Sequence, residues 1–406
     1  MAARKEITRA YAQAYARARK KDKSAMLDEV IAVTGWSRAN ARRALASARV
    51  RRGPLPKVRP RKPRRPVYGP AAVAGLEHVW RLMGLPSGKY LAATVTASVA
   101  ALERHGELSG PRWDPAVRAQ VLVMSAATMD RLLKPARDAM RIKGRSATKA
   151  GALLRSTITV RKAGDAHEQC PGFLEIDLVA HCGPTLRGEH AWTLTATDVF
   201  TGWTENVAIK NRAHRWVMAG INDIAERIPF TVTGIDCDNG GEFINHGLIS
   251  WCADRDIAMT RSRPYKSNDN AHVEQKNGDV VRRNVFHYRY DTPVELGLLN
   301  ELYAILRIKQ NLFTATKKAT GWRANAHGKK IRTYDPPRTP VDRLGADALV
   351  DQTEVYLATN PAHLTREINR IQQDLIRLAA AKTQALNQAI TRAKTDEARI
   401  LISRAS

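Results

Sequence analysis

Asp177 stands in the middle of an apolar run, Phe173-Leu-Glu-Ile-Asp-Leu-Val179. A run of this kind reads as a buried strand, and an ionised carboxylate inside one is costly unless partners converge on it. The fold must therefore bring other groups to this position. Two further stretches offer carboxylates: Gly234-Ile-Asp-Cys-Asp-Asn-Gly-Gly-Glu-Phe243 carries Asp238, and Asn270-Ala-His-Val-Glu-Gln-Lys-Asn277 carries Glu274, with 35 residues between the two acids.

Asp177 on a strand, Asp238 just past a strand and Glu274 on a helix form a set that suits phosphodiester chemistry. Two divalent cations about 3.5–4 Å apart stabilise the attacking and leaving oxygens of an in-line displacement. Mg²⁺, or Mn²⁺ in its place, takes oxygen donors and keeps several waters, so a few carboxylates suffice without a Cys/His cage. Asp236 competes with Asp238, because alternation puts both on one face of a strand. The turn at Asn239-Gly240-Gly241 leaves Asp238 at the strand mouth and favours it. Spacing alone leaves open that the carboxylates are surface groups that never meet.

The formal net charge is +27, with 66 Lys and Arg against 39 Asp and Glu. Such an excess hinders compaction unless a polyanion neutralises it; nucleic acid is the expected polyanion, and charge alone also leaves open a membrane surface or simple solubility. No run approaches the ~18 apolar residues of a membrane span. The charged N-terminus lacks the apolar segment of a secretory signal. Cys170, Cys182, Cys237 and Cys252 show no CxxC spacing, so reduced thiols are expected, in a cytoplasmic protein.

Helical spacing dominates the first part of the chain. Residues 1–50 read as a helix-turn-helix domain. Ser24 is expected to cap one helix, Thr34-Gly35-Trp36 to break it, and Ser37 to cap a second that carries Arg38, Asn40, Arg42 and Arg43. Residues 51–69 are a basic Pro/Arg linker in which Arg59, Arg61, Arg64 and Arg65 suit a path along a minor groove. Residues 70–145 form a second helical, helix-turn-helix-like domain, with Ser125 as a cap and Thr128 and Arg131 on its last helix. Residues 146–170 are a connector that turns strand-like at 156–161.

Past Gly172 the period changes. Three meandering strands precede alternating helices and strands over 171–312, with 230–235 as the fourth strand, which is an α/β order with a mixed sheet. Residues 313–345 read as a basic irregular extension. Residues 346–406 are a helical tail whose Leu364, Ile368, Ile371, Leu375 and Leu378 fit either a short coiled-coil seam or a helix packed on its own chain. Arg261, Arg263 and Lys266 are expected in a Pro-containing loop leading to Glu274, where they can grip DNA.

These residues carry a resemblance. Glu175-Ile-Asp177, Asp198-x-x-Thr-Gly-Trp203, Asp236-x-Asp-Asn-Gly-Gly-Glu-Phe243, Arg261-Ser-Arg-Pro-Tyr-Lys266 and Asn268-Asp-Asn-Ala-His-Val-Glu274 resemble the DDE transposases of bacterial insertion sequences, whose catalytic core is of the retroviral-integrase type. The resemblance implies an RNase H-like catalytic domain and Asp177, Asp238 and Glu274 as catalytic residues holding two Mg²⁺ ions. It further implies nicking at element ends followed by attack of the freed 3′-hydroxyl on target DNA, by a homodimer or higher oligomer. No N-terminal HHCC zinc module is present, so DNA-end recognition falls to the helix-turn-helix modules. Two other readings share the same residues: a metal-dependent nuclease without strand transfer, and a transposase-derived DNA-binding regulator.

Overall fold

The computed structural model describes residues 2–50, 66–110, 112–139, 159–161, 169–237, 240, 242–243, 246–262, 271–325, 328 and 330–405. The chain divides into two compact units, Met1–Val67 and Tyr68–Ser406.

The first unit holds three helices, α1 (Ala2–Arg17), α2 (Lys20–Thr34) and α3 (Arg38–Val50). Leu27, Val30, Ala41 and Leu45 form its small core. Gly35 ends α2 in the left-handed region at φ 68°, and its N–H donates to the Ile31 carbonyl, as the sequence expects of this turn. Ser37 accepts from the Asn40 amide at 3.4 Å. Ser24 is not a cap: α2 starts four residues earlier, and the Ser24 hydroxyl instead accepts from Arg38.

The second unit opens with α4 (Pro70–Leu82), α5 (Gly88–Arg104), α6 (Pro115–Leu122) and α7 (Ala126–Asp138). Asp114 and Ser125 cap α6 and α7 by accepting from the Val117 and Thr128 amides. A six-stranded mixed sheet follows, in the order β1-β6-β5-β2-β3-β4. Its strands are β1 (Thr159–Arg161), β2 (Phe173–Ala180), β3 (Trp192–Asp198), β4 (Thr204–Ile209), β5 (Gly234–Cys237) and β6 (Ala258–Ser262). The meander β2-β3-β4 is antiparallel, while β5, β6 and β1 add in parallel. A mixed sheet with helices packed on it agrees with the RNase H-like core that the resemblance implies.

Helix α8 (His214–Arg227) follows β4, and Gly220 lets it approach closely: a Cβ there would lie 3.1 Å from Leu194 and 3.3 Å from Ile209. Helix α9 (His246–Ala253) precedes β6. The segment after it is α10 (Ala271–Lys276), a π-helical stretch Asn277–Arg282, and α11 (Arg283–Val285). Helix α12 (Pro293–Ile308) starts with a capping box between Thr292 and Glu295. Helices α13 (Ala346–Ala358) and α14 (Pro361–Ala405) end the chain.

Four expectations are corrected. Thr159–Arg161 lies in the connector by sequence, yet pairs parallel with Thr260–Ser262 and becomes an edge strand. The fourth expected strand starts at Gly234 rather than Phe230, because its neighbour β2 begins only at Phe173, the partner of Gly234. The extension is not irregular throughout: β7 (Ala319–Ala324) and β8 (Lys330–Tyr334) form an antiparallel hairpin. Arg261 is not in a loop; it pairs with Cys237 within β6 and is only 7% exposed.

The tail packs on its own chain. Ile368, Ile371, Leu375 and Ala379 join a cluster with Val281, Leu299 and Tyr303. Lys382 of α14 also donates to Asp291 and Glu295 at the start of α12. The same helix reaches α5, where Arg366 and Asn360 both donate to Glu107. Those contacts, Arg366 first, hold the Glu107 carboxyl down at about 2. Helices α4–α7 and the sheet share one apolar cluster.

Candidate active site

Side chains alternate along each strand, so the two faces of the sheet differ in chemistry. One face is apolar: Leu174, Ile176, Leu194, Ala196 and Ile235 are buried there with Ile221 and Ile224 of α8. The other carries Glu175, Asp177, Thr195, Asn206, Asp236 and Thr260, with the Asn206 amide donating to Thr195 at 2.9 Å. The helix bearing Glu274 is tied to this polar face.

Two ties fix that helix. Glu175, 4% exposed, accepts from the backbone N–H groups of His272 at 2.8 Å and Val273 at 3.0 Å through one oxygen. A carboxylate there satisfies the first free amides of the helix and sits at the positive end of its dipole. Further along, the Asn277 amide donates to Asp177 Oδ2 at 2.6 Å. Glu274 lies between the ties, three residues before Asn277, and so shares Asn277's side of the helix. The helical segment of Glu274 is thereby tied to the strand of Asp177, although 96 residues separate the two acids in sequence.

The helix widens to π geometry at Asn277, the residue that meets Asp177. Such widening recurs at functional positions because it re-aims side chains within a continuous helix. Glu274 is exposed, and partial burial raises its pKa above the usual carboxylate value. Asp177 is half-buried and also accepts from the Leu178 amide at 2.8 Å.

Asp236 is fully buried. It lies beside Glu175 on one side and Thr260 on the other, and the Thr260 hydroxyl donates to it. Asp198 is also internal. Its two oxygens accept from Gly172, the Thr201 amide and the Thr201 hydroxyl, which makes Asp198-x-x-Thr-Gly-Trp203 a turn that joins β3 to β4. Burial raises the Asp198 pKa against those hydrogen bonds.

Asp177 and Glu274 are oxygen donors of the kind that hard divalent cations take. Among the described residues no three His, Cys, Asp or Glu side chains group to hold a metal. Asp238 lies outside the described residues, as do Arg263, Lys266, Arg59, Arg61, Arg64 and Arg65. In the first unit Asn40, Arg42 and Arg43 are exposed on α3, whereas Arg38 is engaged with Asp28 and Ser24. On α7 Arg131 is exposed, and Thr128 is half-buried against Ser125.

Residues 167–267 match the family model of the integrase core domain. The chain is 35% identical over 345 residues to y4rM of Sinorhizobium fredii, described as an uncharacterized protein, across 85% of this chain and 96% of that one. This chain belongs to the y4rM family and carries an integrase core. That core is the core of a polynucleotidyl transferase-type enzyme. The chain is also similar to the BIV integrase catalytic core, with a TM-score of 0.28 and 16% identity, over 45% of this chain and 97% of that one. A dimeric HTLV-2 integrase core in complex with magnesium aligns with a TM-score of 0.28 and 13% identity, over 36% of this chain and 92% of that one.

Sequence reasoning quoted Glu175 within the resemblance but gave it no task. The signal was available: two residues before Asp177 in a strand, Glu175 must share its face. What it lacked was the partner, a helix start almost a hundred residues away.

Proposed function

We propose that this y4rM-family protein is a DDE transposase, which binds the ends of its mobile element, nicks them, and joins the freed 3′-hydroxyls to target DNA. The observation that supports the reading is the double tie through Glu175 and Asn277, which joins the helical segment of Glu274 to the strand of Asp177 in a chain with an integrase core.

Asp177, Glu274 and Asp238 would hold two Mg²⁺ ions, and Mn²⁺ would substitute. When bound, the cations stabilise charge on the attacking and leaving oxygens. Two observations favour Asp238 over Asp236 as the third ligand. The register of β2 against β5 runs to Ile176 opposite Cys237, and the next residues in sequence are Asp177 and Asp238. Asp236, two residues back, is enclosed and already accepts from Thr260. Recognition of the ends falls to the short-turn helix pairs α2–α3 and α6–α7, with Asn40, Arg42, Arg43 and Arg131 presented to DNA. The Pro/Arg linker and the Arg263–Lys266 stretch add further contacts. Joining two ends to one target requires a homodimer or larger assembly.

The test uses the full chain with labelled DNA from the flanks of its gene, a target plasmid and Mg²⁺. Joined products are expected, and they vanish when the ion is chelated. Nicks without joining would make the protein a nuclease; binding with neither would make it a regulator.

Glu175 is a positioning residue in this scheme. Glu175→Gln keeps an acceptor but loses the charge that holds the helix start. Loss of such an outer partner weakens metal binding about 10-fold or more. The Mg²⁺ needed for half-maximal cleavage is therefore expected to rise about 10-fold, with most of the rate recovered at saturating ion. A merely structural role would depress the rate equally at every Mg²⁺ concentration.

A further inference from the structure

The hairpin β7–β8 belongs to no part of the site described so far. Residues 317–338 contain seven Lys and Arg and one acid, Asp335. Asp335 is consumed at the root of the hairpin: it accepts from the Lys318 amide at 2.6 Å and from Arg343 at 2.8 Å. Arg323, Lys330 and Arg332 are exposed and meet no carboxylate among the described residues.

Both faces of the hairpin are open. Trp322 and Arg332 are cross-strand partners on one face, with the guanidinium 5.3 Å from the ring centroid, and Lys330 continues that face. Arg323 and Ile331 pair on the other. Trp322 is 63% exposed and Tyr334 51%. A strand pair normally buries one face against a core; this one buries neither.

The root, by contrast, is held firmly. Arg343 donates to the carbonyls of Thr201, Thr316 and Arg338, and the Lys318 ammonium sits 4.2 Å from the Phe200 ring centroid. These contacts fix the hairpin to the β3–β4 turn.

We propose that β7–β8 is a DNA arm, a basic two-stranded ribbon rooted at the β3–β4 turn that grips the backbone of duplex DNA. It rests on the reading that this chain acts on DNA. A two-stranded ribbon fits the major groove, about 12 Å wide. Exposed cations that meet no carboxylate are what phosphate contact requires. Trp322 supplies an apolar contact to sugars or base edges between the flanking charges.

Binding of the full chain to a generic duplex is measured across a salt series, with EDTA present so that no cleavage occurs. Removing three phosphate contacts in R323A/K330A/R332A should lower the log–log salt slope by about 2.7 and weaken binding about 10-fold or more near 0.15 M salt. Trp322→Ala should weaken binding with the slope unchanged. A control, R370A/R377A/R392A on α14, removes the same charge elsewhere. The proposal falls if the hairpin variant keeps the wild-type slope, or if the control loses as much. It also falls if the hairpin variant changes only oligomeric state, which would assign the ribbon to a protein partner. Failure of the wild-type chain to bind duplex at all would instead sink the transposase reading, and the arm with it. Thermal unfolding confirms that the exposed substitutions leave the fold intact.

Discussion

Asp177→Asn is expected to lower Mg²⁺-dependent DNA cleavage by about 10³-fold or more, while duplex binding and thermal stability stay near wild type. The activity loss follows from charge: an amide does not replace a carboxylate on a hard cation. Loss of about 4 kcal/mol of transition-state stabilisation corresponds to 10³ in rate. The fold is spared for a local reason. Asn277 Nδ2 donates to Asp177 Oδ2, while Asn277 Oδ1 is buried with no hydrogen-bond partner. When the substitution presents an NH₂ group there, the Asn277 amide flips and accepts from it. The Leu178 amide still finds an acceptor in the remaining oxygen. Cleavage gels, anisotropy and thermal melts on one preparation check all three statements. Activity within about tenfold of wild type would remove Asp177 from the metal-holding set.

Arg307→Ala should destabilise the chain by about 3–5 kcal/mol. Glu205 on β4 is completely enclosed, and its Oε1 accepts from Arg307 at 2.7 Å and from the Trp203 indole at 2.8 Å. Burial raises the Glu205 pKa, and Arg307 is the strongest influence lowering it. Truncation leaves a buried charge without its partner, and the carboxyl pKa rises further. A carboxyl whose folded pKa lies above its unfolded value takes up a proton on folding, so the folded state gains stability as pH falls. The penalty of Arg307→Ala is therefore largest at neutral pH and shrinks toward acid. Denaturant melts at several pH values measure this. The double variant E205Q/R307L should recover much of the loss, because it removes the stranded charge as well.

The elements around the site were largely legible. The strand of Asp177, the meander after it, the helix of Glu274 and the long C-terminal helix are all present, because short buried runs mark the strands and one buried face gives the helices their period. The Thr292/Glu295 capping box and the left-handed Gly35 follow local rules of the same kind. The hairpin β7–β8 escaped notice for the opposite reason: with both faces in solvent, its residues carry no apolar alternation. The edge strand Thr159–Arg161 looked strand-like, but its parallel partner lies about a hundred residues downstream, and no local signal names such a partner.

Sequence alone determined which carboxylates are available, that they sit in or beside apolar strands, and that the chain is too basic to ignore polyanions. Tertiary structure decided how they are used. It spent Asp198 on a turn, enclosed Asp236 beneath Thr260, and set Glu175 on the start of the helix that carries Glu274. The physical reason is range. Alternation and helical period are local and can be read along the chain, whereas a carboxylate's role depends on which donors reach it. Those donors arrive from segments brought together only when the sheet closes against α10.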